Sequence, residues 1–290
     1  MVGGEPARLA SDEGAAERWR RLVRDRLEEM ERLSPGLGSL SGDFWDRRAD
    51  RYAAGVKRTA RDDDPFLRRL RGATDASSTA IDVGAGTGRF ALALAGGVRH
   101  VTAVDPSTAM LGVLRRDALR LGVRNVTTVA ATWEDADTAS ADVVFSSFVL
   151  PLVVDAPGFL TKLDAAARRH VFLYLGAYSG DAVLDPIWRH FHGAPRAPGA
   201  SYLAALAVLR ELGITPDVKV VEIPNRRRFA TIDEAAEHYR DALLLTDTPA
   251  VRRELAALLT TWLVGRRGAL RSPLRTGPAA IIRWSPAASA

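Results

Sequence analysis

The feature that most constrains this chain is an alternation of two kinds of segment between residues 79 and 176. Short apolar runs ("TAIDVG", "HVTAVD", "NVTTVA", "ADVVFSS" and "HVFLYLG") take turns with the amphipathic stretches "RFALALAGG", "STAMLGVLRRDALRLG" and "APGFLTKLDAAARR". Runs of this length, rich in β-branched residues, suit strands; the longer stretches carry the 3.6-residue period of helices. The order β-α-β-α-β-β-α-β predicts an α/β fold, a mostly parallel sheet with helices on its faces.

Outside that core, Trp19, Leu22, Val23, Leu27, Met30 and Leu33 recur at helical spacing from Ala15 to Leu33. Residues 1–14 read as disordered and "SPGLGSLSGD", Ser34 to Asp43, as a breaker-rich linker. "FWDRRADRYAAGVKR" predicts a second helix, and Asp64-Pro65 caps a short third one with proline at its first position. After Gly176 a helical insert is expected near 181–213. "DVKVVEIP" follows as a strand, then helices over Thr231–Leu245 and Ala250–Gly265, and "AAIIRWSP" as a final strand. The chain thus divides into an N-terminal helical extension, 1–72, and an α/β domain, 73–290, with inserts near 181–213 and 231–265. The apolar stripe of the first helix must be buried, either as a cover over the site or against a second subunit in a homodimer.

Composition narrows the function. With 290 residues, 47% of them hydrophobic and 26% charged, the chain can bury a sizeable core. It has no cysteine, which excludes disulfides, thiolate–zinc sites and a thiol nucleophile. No run of eighteen apolar residues occurs, and the N-terminus lacks the basic-then-apolar order of a secretory signal, so a cytoplasmic protein without a membrane partner is expected. The net charge is +5, carried almost wholly by arginine, but acidic residues are interleaved ("RDRLEEMER", "WDRRADRY"). Without a long basic stripe, nucleic acid is not the expected partner.

The run "TAIDVGAGTGRF" climbs from a strand through Gly84, Gly86 and Gly88 into a helical pattern. Such a turn holds the polar end of a ligand, and dinucleotides, nucleotide phosphates and S-adenosylmethionine are all bound this way. A dinucleotide fingerprint places its third glycine where this chain has Arg89, and no Gly-Lys-Ser/Thr phosphate loop follows. Four blocks in order, "IDVGAGTGRF", "AVDPSTAML", "ATWEDAD" and "ADVVFSSFVLPLV", resemble the class I S-adenosylmethionine-dependent methyltransferases. The resemblance is close from Asp43 to Gly176 and elsewhere rests on element order.

It implies a Rossmann-like sheet with helices on both faces, S-adenosylmethionine as cofactor and S-adenosylhomocysteine as its product. It also implies a cofactor site built from Asp82, Gly84, Ala85, Gly86 and Gly88 on the first turn. Asp105 would accept the ribose hydroxyls, and Pro106 and Met110 would be apolar walls for adenine. Thr132 and Trp133 fall at the adenine edge, where a carboxylate is usual in place of Thr132. Ser147 and Phe148 fall at the mouth near the methyl group. In the upstream helix, the resemblance puts Tyr52 over the methionine end and Arg48 near its carboxylate.

Strand 4 lacks the Asp/Asn-Pro-Pro-aromatic run of DNA and RNA amino-methyltransferases; Ser146-Ser147-Phe148-Val149 stands there. A small-molecule acceptor is therefore expected, with a protein or RNA acceptor, a non-catalytic S-adenosylmethionine-binding protein and a dinucleotide oxidoreductase as rivals. A base is needed only for an acceptor that must lose a proton. The candidates are His190 in "DPIWRHFHG" and His238 and Tyr239 in "EAAEHYRDAL". His190 and His192 stand two apart and do not share a helical face, so no metal site is expected. The "NRRRF" run, Arg226 to Arg228, is a candidate for an anionic substrate.

Overall fold

In the computed structural model, residues 13–35, 46, 62–176, 184–266 and 268–286 are described. Tyr52 and Arg48, and residues 1–12 of the expected disordered tail, lie outside them. So does most of the second helix.

Seven strands form one sheet in the order β3-β2-β1-β4-β5-β7-β6. They are β1 (Thr79–Val83), β2 (His100–Asp105), β3 (Val126–Ala130), β4 (Ala141–Ser147), β5 (Ala167–Gly176), β6 (Asp217–Pro224) and β7 (Thr276–Trp284). The pairings from β3 through β5 are parallel, while β7 runs antiparallel to both β5 and β6. The sheet is mostly parallel, as the alternation predicts.

The described helices are α1 (Ala15–Leu33), α2 (Pro65–Arg71), α3 (Ala91–Ala95), α4 (Thr108–Leu121), α5 (Ala156–Ala166), α6 (Asp185–His192), α7 (Tyr202–Glu211), α8 (Ile232–Ala242) and α9 (Pro249–Trp262). Period-2 alternation along the strands feeds two cores. On one face Ile81, Val83, Val144, Val171 and Leu173 meet Trp19 and Val23 of α1, Phe159 of α5 and Val208 of α7. On the other, Ala80, Val143, Phe145, Phe172 and Tyr174 meet Phe66 of α2, Leu94 of α3 and Leu114 of α4. Phe66 stacks on Tyr174 at 4.6 Å between ring centroids, a geometry worth about 0.5–1.5 kcal/mol beyond its area.

Local chemistry explains the helix starts. Asp64 Oδ1 accepts the Phe66 and Leu67 amides ahead of Pro65. Ser107 Oγ accepts the Met110 amide at α4, and α4 ends on Gly122 in the left-handed region. Gly14 cannot cap α1 with a side chain. Glu211, at the end of α7, instead accepts the Ala15 and Ala16 amides and complements the helix dipole.

Two features differ from the sequence reading, and a third concerns the stripe of the first helix. The helical pattern of "APGFLTKLDAAARR" stops at Ala166, because Ala167 already pairs with Ala141 in the sheet. Part of the insert near 181–213 is a layer of the domain: α7 packs on the sheet beside α1. The stripe of α1 is buried within the chain, with Trp19 Nε1 donating to the Val153 carbonyl at 2.8 Å. Helices α6, α8 and α9 build a third core of their own around Trp188, Phe229, Tyr239 and Leu259. They form a cap on the connections that follow β5 and β6.

Candidate functional site

The parallel strands bring their carboxyl ends to one edge, and the helices that follow diverge there. The result is a cleft of about 460 Å³ at the ends of β1, β2 and β4. Asp82, Gly84, Ala85, Gly86, Asp105, Pro106, Met110, Thr132, Trp133, Ser147 and Phe148 all line it. Four blocks spread over some seventy residues of sequence therefore meet at one place. Gly88 lies in the same loop, between the lining residues Thr87 and Arg89.

The glycines have different reasons to be there. Gly84, Gly86 and Gly88 all have positive φ, 72°, 52° and 82°, a region that costs a side chain about 1–2 kcal/mol. A Cβ on Gly84 would stand 2.2 Å from Val149 Cγ2, and one on Gly88 2.6 Å from Leu114 Cγ. Those two positions are closed by the protein's own packing. At Gly86 an added Cβ would meet nothing within 4 Å, so only there does the missing side chain leave cleft space open.

Two carboxylates flank this loop. Asp105 is buried and oriented by two amides: Gly86 N–H donates to Oδ2 at 2.8 Å and Ser107 N–H to Oδ1 at 2.9 Å. Each oxygen keeps a lone pair for a further donor. Burial raises its pKa, against the lowering effect of the two amides. Asp82 is fully buried; Oδ2 accepts the Ala91 amide at 3.2 Å and Oδ1 has no partner. Burial, with the charge of Asp105 adding to it, pushes Asp82 up to about 8, so it is largely protonated at neutral pH.

The cleft walls are shaped by strain and by stacking. Phe148 is 40% exposed and has φ of 60°, uncommon for a bulky residue and a mark of functional sites. Its amide donates to the Tyr174 carbonyl at 2.8 Å and its ring tilts on Tyr174 at 4.9 Å. Trp133 is buried, with Nε1 unpartnered and the Lys162 ammonium 5.0 Å from the ring centre. Lys162 also donates to the Glu134 and Ala136 carbonyls, fixing that loop. The Thr132 hydroxyl donates to Asp135 Oδ2 at 2.8 Å and accepts the Asp135 amide, leaving it one lone pair.

Several lining or anchoring residues were not singled out from sequence. Asp46 Oδ1 accepts the Ser107 hydroxyl at 2.5 Å and the Ala109 amide at 3.1 Å, and these bonds hold its carboxyl below the usual range. Arg89 pairs with Asp64 at 2.9 Å. Val149, Leu152, Val153, Val154, Asp155 and Phe159 form the wall beyond β4. Their signal was present as "VLPLVVD", which reads as a continued strand; the turn at Phe148 converts it to a 3-10 segment, Leu150–Leu152.

The candidate bases are not brought to the cleft lining. His190 Nε2 pairs with Glu254 at 2.7 Å on the cap. His238 packs on Phe229 and burial pushes it down to about 4. Tyr239 is buried between Phe229 and Trp262, and burial raises its pKa. Among the described residues no group of three metal-binding side chains is found.

Residues 80–169 match a family described as a methyltransferase domain. The chain is 30% identical over 184 residues to an uncharacterized protein of Haemophilus influenzae, a match covering 61% of this chain. It spans 66% of that relative's length, just under two thirds. Among solved structures it is similar to the YcgJ protein of Bacillus subtilis, with a TM-score of 0.54 and 17% identity over 77% of this chain and 98% of that one. It is also similar to the protein of a structure concerned with converting a disulfide bond into a thioacetal group during echinomycin biosynthesis. There the TM-score is 0.54 and the identity 19%, over 86% of this chain and 94% of that one. At such identities the likeness is one of fold. Residues 80–169 thus form a methyltransferase domain, and the four ordered blocks it contains meet at this cleft in a Rossmann-like sheet.

Proposed function

We propose that the chain transfers a methyl group from S-adenosylmethionine to a small-molecule acceptor at this cleft. The observation that carries the reading is Asp105, a buried carboxylate held by the Gly86 and Ser107 amides at the open end of the glycine loop. When bound, the cofactor supplies a methyl group already activated on a sulfonium. The protein's task is then alignment and exclusion of water.

The residues fit that task. Asp105 keeps a lone pair on each oxygen for two vicinal hydroxyls. Gly86 leaves the loop open to a ligand backbone. Pro106, Met110 and Trp133 offer apolar surface for a base, with Thr132 at its edge. Asp82, on the cleft lining, keeps one oxygen unpartnered for the methionine end. Ser147 and Phe148 then stand where the methyl group meets the acceptor. Asp46 is tied to Ser107 at the start of α4. The assignment of Tyr52 and Arg48 to the methionine end rests on the family resemblance alone. The burial of α1 against the sheet supports reading the 1–72 extension as a cover rather than a subunit contact.

A proton-accepting role for His190, His238 or Tyr239 requires an acceptor that reaches from the cleft to the cap. His238 is neutral at pH 7, the form a base needs, though a weak one. Strand 4, without the Asp/Asn-Pro-Pro-aromatic run, favours a small molecule over a nucleobase amino group. No described helix is long and apolar enough to cross a membrane, and we place the reaction in the cytoplasm. The test is S-adenosylhomocysteine formation with separate small-molecule, RNA and protein acceptor pools. Turnover confined to the small-molecule pool is expected; methyl label in RNA or protein would overturn the acceptor class.

A further inference from the structure

The arginine run after β6 acquires a partner in the fold that the sequence does not show. Phe229 and Leu270 exchange backbone hydrogen bonds of 2.8 and 3.0 Å as an antiparallel bridge, which sets Arg228 opposite Arg271. Arg271 in turn exchanges bonds of 2.9 and 3.0 Å with Val264, so it lies in the middle of a three-chain patch. Asn225 N–H donates to the Arg275 carbonyl at 2.7 Å, which holds Arg275 beside the same turn.

Like charges directly across a strand pair destabilise it, and this arrangement carries three guanidinium groups. Among the described residues, no carboxylate pairs with Arg228, Arg271 or Arg275. Arg228 reaches only the Arg227 carbonyl, at 3.1 Å. Arg271 is half-buried, and its Nε is buried with no hydrogen-bond partner. Burial and the charges of Arg275 and Arg228 all lower its pKa. The neighbouring Arg226 differs, since Asp63 pairs with it at 2.5 Å. A buried guanidinium donor left unsatisfied beside two like charges costs stability, unless something anionic completes it.

The patch has a place relative to the cleft. Arg226 pairs with Asp63, the next residue Asp64 pairs with Arg89, and Arg89 lines the cleft. The basic turn is therefore linked to the cleft's rim through two ion pairs. Sheet register puts Ser147 level with Tyr174, Ile281 and Lys219. Pro224, the end of β6, lies five residues further along, about 16 Å beyond the mouth.

We propose that Arg228, Arg271 and Arg275 hold a phosphate-bearing end of the methyl acceptor. This rests on the methyltransferase reading above and names the class of its substrate: an elongated molecule, at least about 15 Å from the methylated atom to its phosphate. Planar guanidinium forks match phosphate oxygens bidentately. Three uncompensated cations suit a phosphate or diphosphate ester better than a single carboxylate.

Calorimetric titration of the whole chain with inorganic pyrophosphate, at physiological salt, tests the site. Arg271→Gln and the exposed Arg228→Gln are compared with the wild type, and S-adenosylhomocysteine binding and thermal melting are read on each. Saturable one-to-one pyrophosphate binding is expected, weakened about tenfold or more in each variant, with the melting curve and S-adenosylhomocysteine affinity of Arg228→Gln unchanged. Absence of pyrophosphate binding to the wild type, or equal binding by both variants, would overturn the site. Pyrophosphate binding by a wild type that ignores S-adenosylhomocysteine would overturn the link to a methyl acceptor while leaving an anion site. Salt-dependent RNA binding that pyrophosphate cannot displace would overturn the small-molecule assignment.

Discussion

The Gly86 amide donates to Asp105 Oδ2 at 2.8 Å, so the glycine loop and the carboxylate at the end of β2 are one preorganised unit. The loop's three glycines can be separated experimentally because their surroundings differ. Gly86→Ala and Gly88→Ala share the positive-φ penalty of about 1–2 kcal/mol. Gly88→Ala adds a Cβ 2.6 Å from Leu114, an overpacking cost of about 1–3 kcal/mol more. Gly86→Ala is expected to melt a few degrees below the wild type and lose S-adenosylhomocysteine affinity, while Gly88→Ala melts lower still. Equal melting and equal binding of the two would contradict the assignment of space in the loop.

Asp82 predicts a pH dependence of stability. Burial raises its pKa to about 8 in the folded chain, from the ordinary carboxylate value of 3.8. Its neutral form is therefore compatible with folding, and that contribution is complete below about pH 4. As pH rises, the unfolded chain ionises first, and stability is lost until about pH 8 at up to about 1.4 kcal/mol per unit. Denaturant melts of Asp82→Asn should lose this slope; a slope unchanged in the variant would place the titration elsewhere.

His238 acts with the opposite sign. Burial lowers it from 6.5 to about 4, so its contribution is present above pH 6.5 and is lost as pH falls towards 4. Between these values the two residues offset each other in the wild type. The single variants should expose them: His238→Phe unmasks, between about pH 4 and 6.5, the loss of stability with rising pH that the wild type does not show there. A His238 resonance titrating near 6.5 in NMR would contradict its burial.

Trp19 couples the N-terminal helix to the cleft. Its fully buried ring is held by the Nε1 bond to Val153, whose residue lines the cleft. Trp19→Ala should cost about 3–5 kcal/mol. Trp19→Phe, which keeps most of the ring, should cost about 1 kcal/mol through the lost bond. A negligible effect of Trp19→Ala in urea unfolding would mean that α1 does not dock as described.

The fold was legible where residue type and spacing alone decide it. The strand alternation and the glycine turn are local signals, and so is the Asp64-Pro65 cap. The cofactor-side residues Asp82, Asp105 and Met110 were legible through their order along the chain. Asp46 was not, because its role depends on a hydrogen bond to Ser107 sixty-one residues away. The wall from Val149 to Phe159 was hidden because an apolar run following a strand reads as more strand until Phe148 turns the chain. The facing of Arg228 and Arg271 follows from a bridge that no local pattern encodes. Histidine type alone pointed to His190 and His238, whereas placement in the cap depends on how the inserts pack.

The most direct measurement is a calorimetric titration with S-adenosylhomocysteine on the wild type and on Asp105→Ala, with NAD as control. The account predicts micromolar binding by the wild type, a loss of about a hundredfold or more in the variant as two charge-assisted hydrogen bonds disappear, and no response to NAD. Binding that survives the substitution, or binding of NAD in place of S-adenosylhomocysteine, would contradict it.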